Sequence, residues 1–128
     1  MLKLCKTLKK KYKIKTKNFL AHSDIAPLRK IDPGEKFPWK RLSIKKIGIW
    51  HDFKSHFLKK NRRLKVSKKE VKKFKFFLTR IGYFLPKDKT KSFKRTTKAF
   101  QRHFRRQLIN GILDKECLII ADNLAKKS

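Results

Sequence analysis

Three prolines and one glycine interrupt the chain between residues 22 and 38. They are Pro27, Pro33, Gly34 and Pro38. Proline removes a backbone donor and clashes with the preceding helical turn, and glycine favours turns, so a helix cannot run through this span. We therefore expect a long loop here, which belongs to the first unit of the chain.

The same span contains side chains that suit a zinc site. It carries an imidazole at His22, an ammonium at Lys30 and a carboxylate at Asp32. A catalytic zinc takes three protein ligands and leaves a fourth position to water, and both imidazole nitrogen and carboxylate oxygen are accepted ligands. His22 and Asp32 would supply two of the three. Lys30 precedes Asp32 by two residues, so in extended chain both side chains leave on one face.

The segments on either side of the loop have different periodicities. Apolar residues at Cys5, Leu8 and Tyr12 follow helical spacing and predict a surface helix over residues 2–13. Residues 18–21 read as a short strand that leads into His22. Residues 39–61 predict one or two short helices.

Residues 67–128 predict three helices. Ser67 and Glu70 form a capping box, and the apolar stripe that follows ends at Gly82. A second helix is predicted over residues 91–105, and a third begins after Asp114, a good N-cap. The residues expected to face the shared core are Val71, Phe74, Leu78, Ile81, Phe93, Ala99, Phe100, Phe104, Cys117, Ile120, Ala121 and Leu124. Asn110-Gly111 predicts the turn between the last two helices.

The net charge of +30 indicates an anionic partner, such as nucleic acid, an anionic membrane or a cell-wall polymer. Thirty of the 39 basic residues are lysines spread along the chain, which an AT-rich genome also produces, so we give a compositional origin equal weight. No zinc-finger or RNP pattern is present, so only non-specific nucleic-acid binding is expected. The sequence shows no membrane span, no export signal and no paired cysteines.

The loop resembles a known family. His22-Ser-Asp-Ile-Ala-Pro27, followed by Lys30 and by Asp32-Pro33-Gly34, is similar to the C-terminal part of the catalytic domain in zinc-dependent N-acetylmuramoyl-L-alanine amidases of type 2. Residues 37–42 and 48–50 continue the likeness. Residues 78–124 look like the three-helix peptidoglycan-binding domain attached to some of these amidases.

The resemblance implies roles for three residues, and two further functional residues of the family have no counterpart in this sequence. His22 and Asp32 would be zinc ligands, and Lys30 would stabilise the oxyanion that develops during hydrolysis of the lactyl amide between muramic acid and L-alanine. The family has a further zinc-binding histidine and a catalytic glutamate in an N-terminal portion that has no counterpart here. His51, His56 and His103 show no ligand pattern. We therefore expect a partial zinc site in a truncated or split piece.

These observations predict an α+β fold that is mostly helical. Residues 1–45 would be a remnant of the mixed-sheet amidase domain with one helix, one strand and a long loop. Residues 46–66 would be a linker or short helix, and residues 67–128 the three-helix domain. Expected partners are peptidoglycan or muropeptides and a separate N-terminal amidase piece. The missing export signal favours the cytoplasm of a bacterium, whereas the family resemblance favours the periplasm.

Two other classes of protein fit the same sequence. One is a non-catalytic peptidoglycan-binding module in which the loop is vestigial. The other is a basic protein that binds nucleic acid non-specifically through phosphate contacts weakened by salt. Zinc stoichiometry and the salt dependence of binding to insoluble peptidoglycan would separate these classes.

Overall fold

The structure is a computed structural model that describes residues 1–85 and 90–128. Within these ranges every regular element is a helix. We number the α-helices α1 (Leu2–Tyr12), α2 (His22–Ile25), α3 (Trp39–Ile44), α4 (Ser55–Asn61), α5 (Lys68–Ile81), α6 (Thr90–Phe104) and α7 (Lys115–Lys126); a short 3-10 turn covers Thr16–Asn18.

The predicted α+β fold is wrong, because the described residues contain no strand. The proposed strand at residues 18–21 begins inside the 3-10 turn and continues as extended chain to Ala21, which is the N-cap of α2. A single extended segment has no neighbouring strand to satisfy its backbone groups, so it cannot form a sheet. The exclusion of helix from the loop was also too broad, since α2 forms one turn just before Pro27.

The helices of the C-terminal half form as predicted. The Ser67 hydroxyl accepts a hydrogen bond from the backbone of Glu70, and the Glu70 carboxylate accepts one from the backbone of Ser67. Asp114 caps α7 by accepting a hydrogen bond from the backbone of Cys117 at 2.9 Å. Gly111 adopts a positive φ of 73° in the turn before α7, a conformation that costs glycine little.

The main core lies between α5, α6 and α7. Its buried members include Phe74, Leu78, Ala99, Phe100, Phe104, Cys117, Ile120, Ala121 and Leu124, with Leu58 from α4 added at one edge. All nine from α5, α6 and α7 were among the residues predicted to face inward. By contrast α1 buries none of its residues, in agreement with the predicted surface helix.

Residues of the N-terminal segment that contains the loop are buried, and this segment packs against the helical core. Trp39 and Leu42 of α3, together with Ala21 and Ile47, are buried. The ring of Trp39 stacks on His103 of α6 with 4.1 Å between ring centroids. The loop is therefore held at a fixed place on α6. No helix in the described part of the chain has the length and hydropathy needed to cross a membrane.

Candidate functional site

The two predicted zinc ligands lie against each other. Nδ1 of His22 and Oδ2 of Asp32 are 2.5 Å apart, although ten residues separate them in sequence. Their side chains are 72% and 58% exposed. The loop is closed behind them by a hydrogen bond from the backbone of Ser23 to the carbonyl of Asp32. The fold thus presents one nitrogen and one oxygen donor together at the surface.

Lys30 lies near this pair and acts on it electrostatically. The hydrogen bond from His22 lowers the pKa of Asp32 below its ordinary 3.8, and the charges of His22 and Lys30 act in the same direction. A low carboxyl pKa keeps Asp32 ionised at neutral pH, which is the form that binds metal. The charge of Lys30 therefore favours the ionised form of one member of the His22–Asp32 pair.

The donor pair fits zinc in kind but not in number. Imidazole nitrogen and carboxylate oxygen are ordinary zinc ligands, and two exposed side chains can adjust to receive an ion. Among residues 1–85 and 90–128, however, no group of three or more His, Cys, Asp and Glu side chains is placed to hold a metal. A complete site would require a donor from outside the described residues.

Sequence reasoning missed a second cluster of polar side chains, which is buried and centred on Asp24, two residues after His22. Asp24 is 4% exposed. Its Oδ1 accepts a hydrogen bond from the Tyr83 hydroxyl, and its Oδ2 lies 2.7 Å from Nδ1 of His103 and accepts a bond from the backbone of Ala21. One carboxylate thereby joins the start of α2, the residue that follows the C-terminal glycine of α5, and the C-terminal end of α6.

His103 is packed tightly within this cluster. Its ring lies between Trp39 and Phe104, with ring centroids 4.1 and 3.9 Å away. Its Nε2 atom is buried and has no hydrogen-bond partner among the described residues. Because Nδ1 is engaged by Asp24, His103 serves the packing of the loop on α6, away from the exposed His22–Asp32 pair.

The other two histidines also lie apart from the pair. His51 accepts a backbone hydrogen bond from Phe53 through its Nδ1. Burial lowers the pKa of His51 to about 4, and the charges of Lys40 and Lys127 add to this effect. His56 is exposed on α4. Neither residue forms a group of possible metal ligands with His22 and Asp32.

The buried hydroxyl of Tyr83 predicts a specific response to alkali. Burial, together with the adjacent Asp24 carboxylate, raises the pKa of Tyr83 well above the ordinary value of 10.0. Above pH 10 the unfolded chain releases the tyrosine proton while the folded chain keeps it. Stability should therefore fall as pH rises above 10, by at most about 1.4 kcal/mol per pH unit from this group.

The measurement is urea unfolding between pH 8 and about pH 11. Tyr83→Phe should show a shallower alkaline decline than the unaltered protein, because phenylalanine has no proton to release. Tyr12→Phe is the control, since Tyr12 is 62% exposed and should leave the decline unchanged. Equal slopes in all three proteins would contradict a buried, protonated Tyr83.

The chain is similar in sequence to a known amidase. N-acetylmuramoyl-L-alanine amidase AmiD of Escherichia coli K12 is 38% identical over 128 residues, which cover 99% of this chain and 46% of that protein. No family model matches the chain. The similarity extends along the whole chain and shows homology to an AmiD-type N-acetylmuramoyl-L-alanine amidase.

Two solved structures are also similar to this chain. AmiD of E. coli, in complex with anhydro-N-acetylmuramic acid-L-Ala-D-gamma-Glu-L-Lys, superposes with a TM-score of 0.83 at 37% identity, covering 98% of this chain and 49% of that one. AmpDh3 of Pseudomonas aeruginosa, in complex with anhydromuramic pentapeptide, gives 0.80 at 32% identity, covering 98% and 50%. The chain spans about half the length of the relatives it matches.

Proposed function

We propose that this chain supplies part of a zinc-dependent N-acetylmuramoyl-L-alanine amidase site. In this proposal His22 and Asp32 hold the metal and Lys30 stabilises the negative charge that develops on the amide oxygen. The observation that carries the proposal is the contact between His22 and Asp32, 2.5 Å apart at the surface of a chain homologous to AmiD.

The roles follow from the chemistry of the three side chains. Bound zinc would lower the pKa of its water and polarise the scissile carbonyl. Asp32 contributes a carboxylate that stays ionised, and His22 contributes an imidazole nitrogen. Lys30 contributes a fixed positive charge beside them. The third ligand and the general base are proposed to come from residues outside the described ranges, in a longer protein or a second chain.

The proposed substrate class is the muropeptide. Both solved relatives were crystallised with anhydromuramyl peptides, and the proposal extends that class to this chain. Such a ligand has the lactyl amide at one end and a peptide beyond it. A γ-linked glutamate leaves its own α-carboxylate free, and the C-terminal residue adds another, so the peptide part is anionic.

Zinc binding tests the metal assignment. Two ligands hold zinc less firmly than the three of a catalytic site, so we expect clearly less than one zinc per chain at micromolar metal. His22→Ala and Asp32→Ala should each lower the retained zinc further. His56→Ala is the matched control, because His56 is also exposed and should leave retention unchanged. Equal zinc retention in the unaltered protein, His22→Ala and Asp32→Ala would contradict the assignment.

Hydrolysis tests the function itself. The chain incubated alone with anhydromuramyl tripeptide and zinc should release no free peptide. Mixing it with the portion of E. coli AmiD that it does not match should restore zinc-dependent release, and His22→Ala should remove that release. Release that persists in the His22→Ala mixture, with the added portion inactive alone, would refute the proposed roles.

A further inference from the structure

A cleft beside Lys30 has a lining that the amidase chemistry does not use. It has a volume of about 280 Å³ and lies between the loop and α6. The loop contributes Arg29 and Lys30, and α6 contributes Arg95, Lys98 and Arg102, among the aliphatic side chains Pro27, Leu28 and Ile31. We call these eight residues the basic cleft. None of the described acidic side chains lines it.

The α6 side of the basic cleft is built by helical spacing. Arg95, Lys98 and Arg102 stand at positions i, i+3 and i+7, so all three lie on one face of the helix. Like charges at this spacing destabilise a helix by a few tenths of a kcal/mol. Arg95 also donates a hydrogen bond from Nη1 to the carbonyl of Leu28 at 3.2 Å, which fixes the loop over that face.

Diffuse lysine enrichment does not account for this lining. The chain has nine arginines and 30 lysines, yet three of the five cations here are arginines. Within residues 1–85 and 90–128, none of the five forms an ion pair with a carboxylate. Arginine presents a planar fork that binds a carboxylate through two hydrogen bonds. The lining is therefore suited to binding carboxylates.

A second arginine-lined cleft shows the contrast. It is lined by Arg62, Arg105 and Arg106. Arg62 pairs with Glu116, and Arg105 pairs with both Asp114 and Glu116. Arg106 donates to the carbonyl of Glu35. The guanidinium groups of that cleft bond to the protein itself, whereas the guanidinium groups of Arg29 and Arg102 in the basic cleft make no hydrogen bond to other described residues.

We infer that the basic cleft binds the free carboxylates of a peptide that extends from the His22–Asp32 pair. This inference rests on the proposed function, because it identifies the ligand as the peptide part of a muropeptide. Lys30 belongs both to the cleft and to the surroundings of Asp32, so one ligand can reach both. Two extended residues span roughly 7 Å, which places the glutamate carboxylate a short distance beyond the amide.

The aliphatic lining argues against a nucleic acid in the same place. Single-stranded nucleic acids are held by a positive groove combined with aromatic side chains on which the bases stack. The apolar residues of the basic cleft are Pro27, Leu28 and Ile31, which offer no such platform. Its volume also suits a few residues of peptide rather than a polymer.

The test is calorimetric titration with the tripeptide L-Ala-D-γ-Glu-L-Lys and with the same peptide whose carboxylates are amidated. Zinc is removed with a chelator, and neither peptide contains the lactyl amide. Arg29→Gln and Arg102→Gln should each weaken binding of the free acid about tenfold. The amidated peptide should bind at least that much more weakly to the unaltered protein.

Arg41→Gln is the control, because Arg41 is an exposed residue of α3 and the substitution removes the same charge. It should change affinity by less than about twofold. Equal losses in all three variants would overturn the inference in favour of general charge attraction. So would equal binding of the amidated peptide, or an oligonucleotide or inorganic phosphate that binds with the same arginine dependence while the tripeptide does not.

The titration is independent of the amidase activity. It needs no zinc, no third ligand and no scissile bond, so a failure of hydrolysis leaves its result unchanged. Conversely, zinc-dependent hydrolysis with peptide affinity unaffected by Arg29 and Arg102 would retain the proposed function and reject the basic cleft as its peptide site.

Discussion

Replacing Arg105 with methionine should lower the free energy of unfolding by about 3–5 kcal/mol, because it leaves buried carboxylates without their cation. Arg105 is 1% exposed. Its Nη1 donates to Asp114 at 2.6 Å and to Glu116 at 3.1 Å, and its Nε donates to the carbonyl of Leu108. These contacts fix the turn that leads from α6 into α7.

The ion pairs of Arg105 also hold the N-terminus of α7. Asp114 is the N-cap of that helix and accepts backbone hydrogen bonds from Cys117 and Arg63. The hydrogen bonds from Arg105 and from these backbone groups hold the pKa of Asp114 below its ordinary value despite burial. Without the guanidinium, the capping carboxylate would remain buried without a cation, and among the described residues Glu116 would keep only Arg62 as a cationic partner.

Urea unfolding of Arg105→Met measures the effect, with Arg41→Met as the matched exposed control. The control should change stability by less than about 0.5 kcal/mol. Adding Asp114→Asn and Glu116→Gln to Arg105→Met should recover part of the loss, because the penalty comes from unpaired charge. A loss below about 1 kcal/mol in Arg105→Met would show that the buried ion pairs contribute little.

The sequence predicted features whose determinants lie within a few residues of each other. The capping box of Ser67 and Glu70, the N-cap at Asp114 and the inward stripe of α7 depend on spacings of three or four residues. Those spacings are set by helix geometry alone. The structure therefore agrees with the helices predicted from the sequence, which are α1, α5, α6, α7 and the short helices within residues 39–61.

The prediction of a strand at residues 18–21 was wrong because a strand depends on a distant partner. Residues 18–21 have a composition that suits extended chain, and Phe19 to Ala21 do lie outside the helices. Whether extended chain becomes a strand depends on a partner elsewhere, and a local pattern carries no information on that partner. In the described residues the segment instead leads from the 3-10 turn into α2.

The buried contacts around Asp24 lay beyond sequence reasoning because they join distant residues. Tyr83 is 59 positions from Asp24, and His103 is 79 positions away. The sequence pattern of the loop predicted site roles for His22, Lys30 and Asp32. It predicted no role for Asp24, two residues after His22. Its position between Ser23 and Ile25 in α2 gave no periodic signal of burial. One available signal was that Asp24 belongs to the same family-like segment as His22.

Replacing Asp24 with alanine should cost about 3–5 kcal/mol of folding free energy, since several buried polar groups lose their partner together. The Tyr83 hydroxyl and Nδ1 of His103 would both be left inside the protein without a hydrogen bond. Each such group costs about 1–3 kcal/mol. The backbone N–H of Ala21, at the start of α2, would lose its acceptor as well.

Asp24→Asn distinguishes the effect of lost hydrogen bonds from the effect of the cavity that alanine would leave. Asparagine keeps the size of the side chain and one acceptor oxygen, so it should lose less stability than alanine. Asp122→Ala is the control, because Asp122 is a half-exposed residue of α7 whose contact with Lys126 is an i,i+4 surface pair. Such a pair contributes about 0.3–0.5 kcal/mol.

The same variants test whether the buried cluster around Asp24 supports the His22–Asp32 pair. Asp24 holds the turn that begins with His22, so Asp24→Ala should also lower zinc retention in chains that remain folded. Retention is measured below the urea transition, where circular dichroism confirms the helices. A folded Asp24→Ala chain that holds as much zinc as the unaltered protein would show that His22 and Asp32 meet without support from α5 and α6.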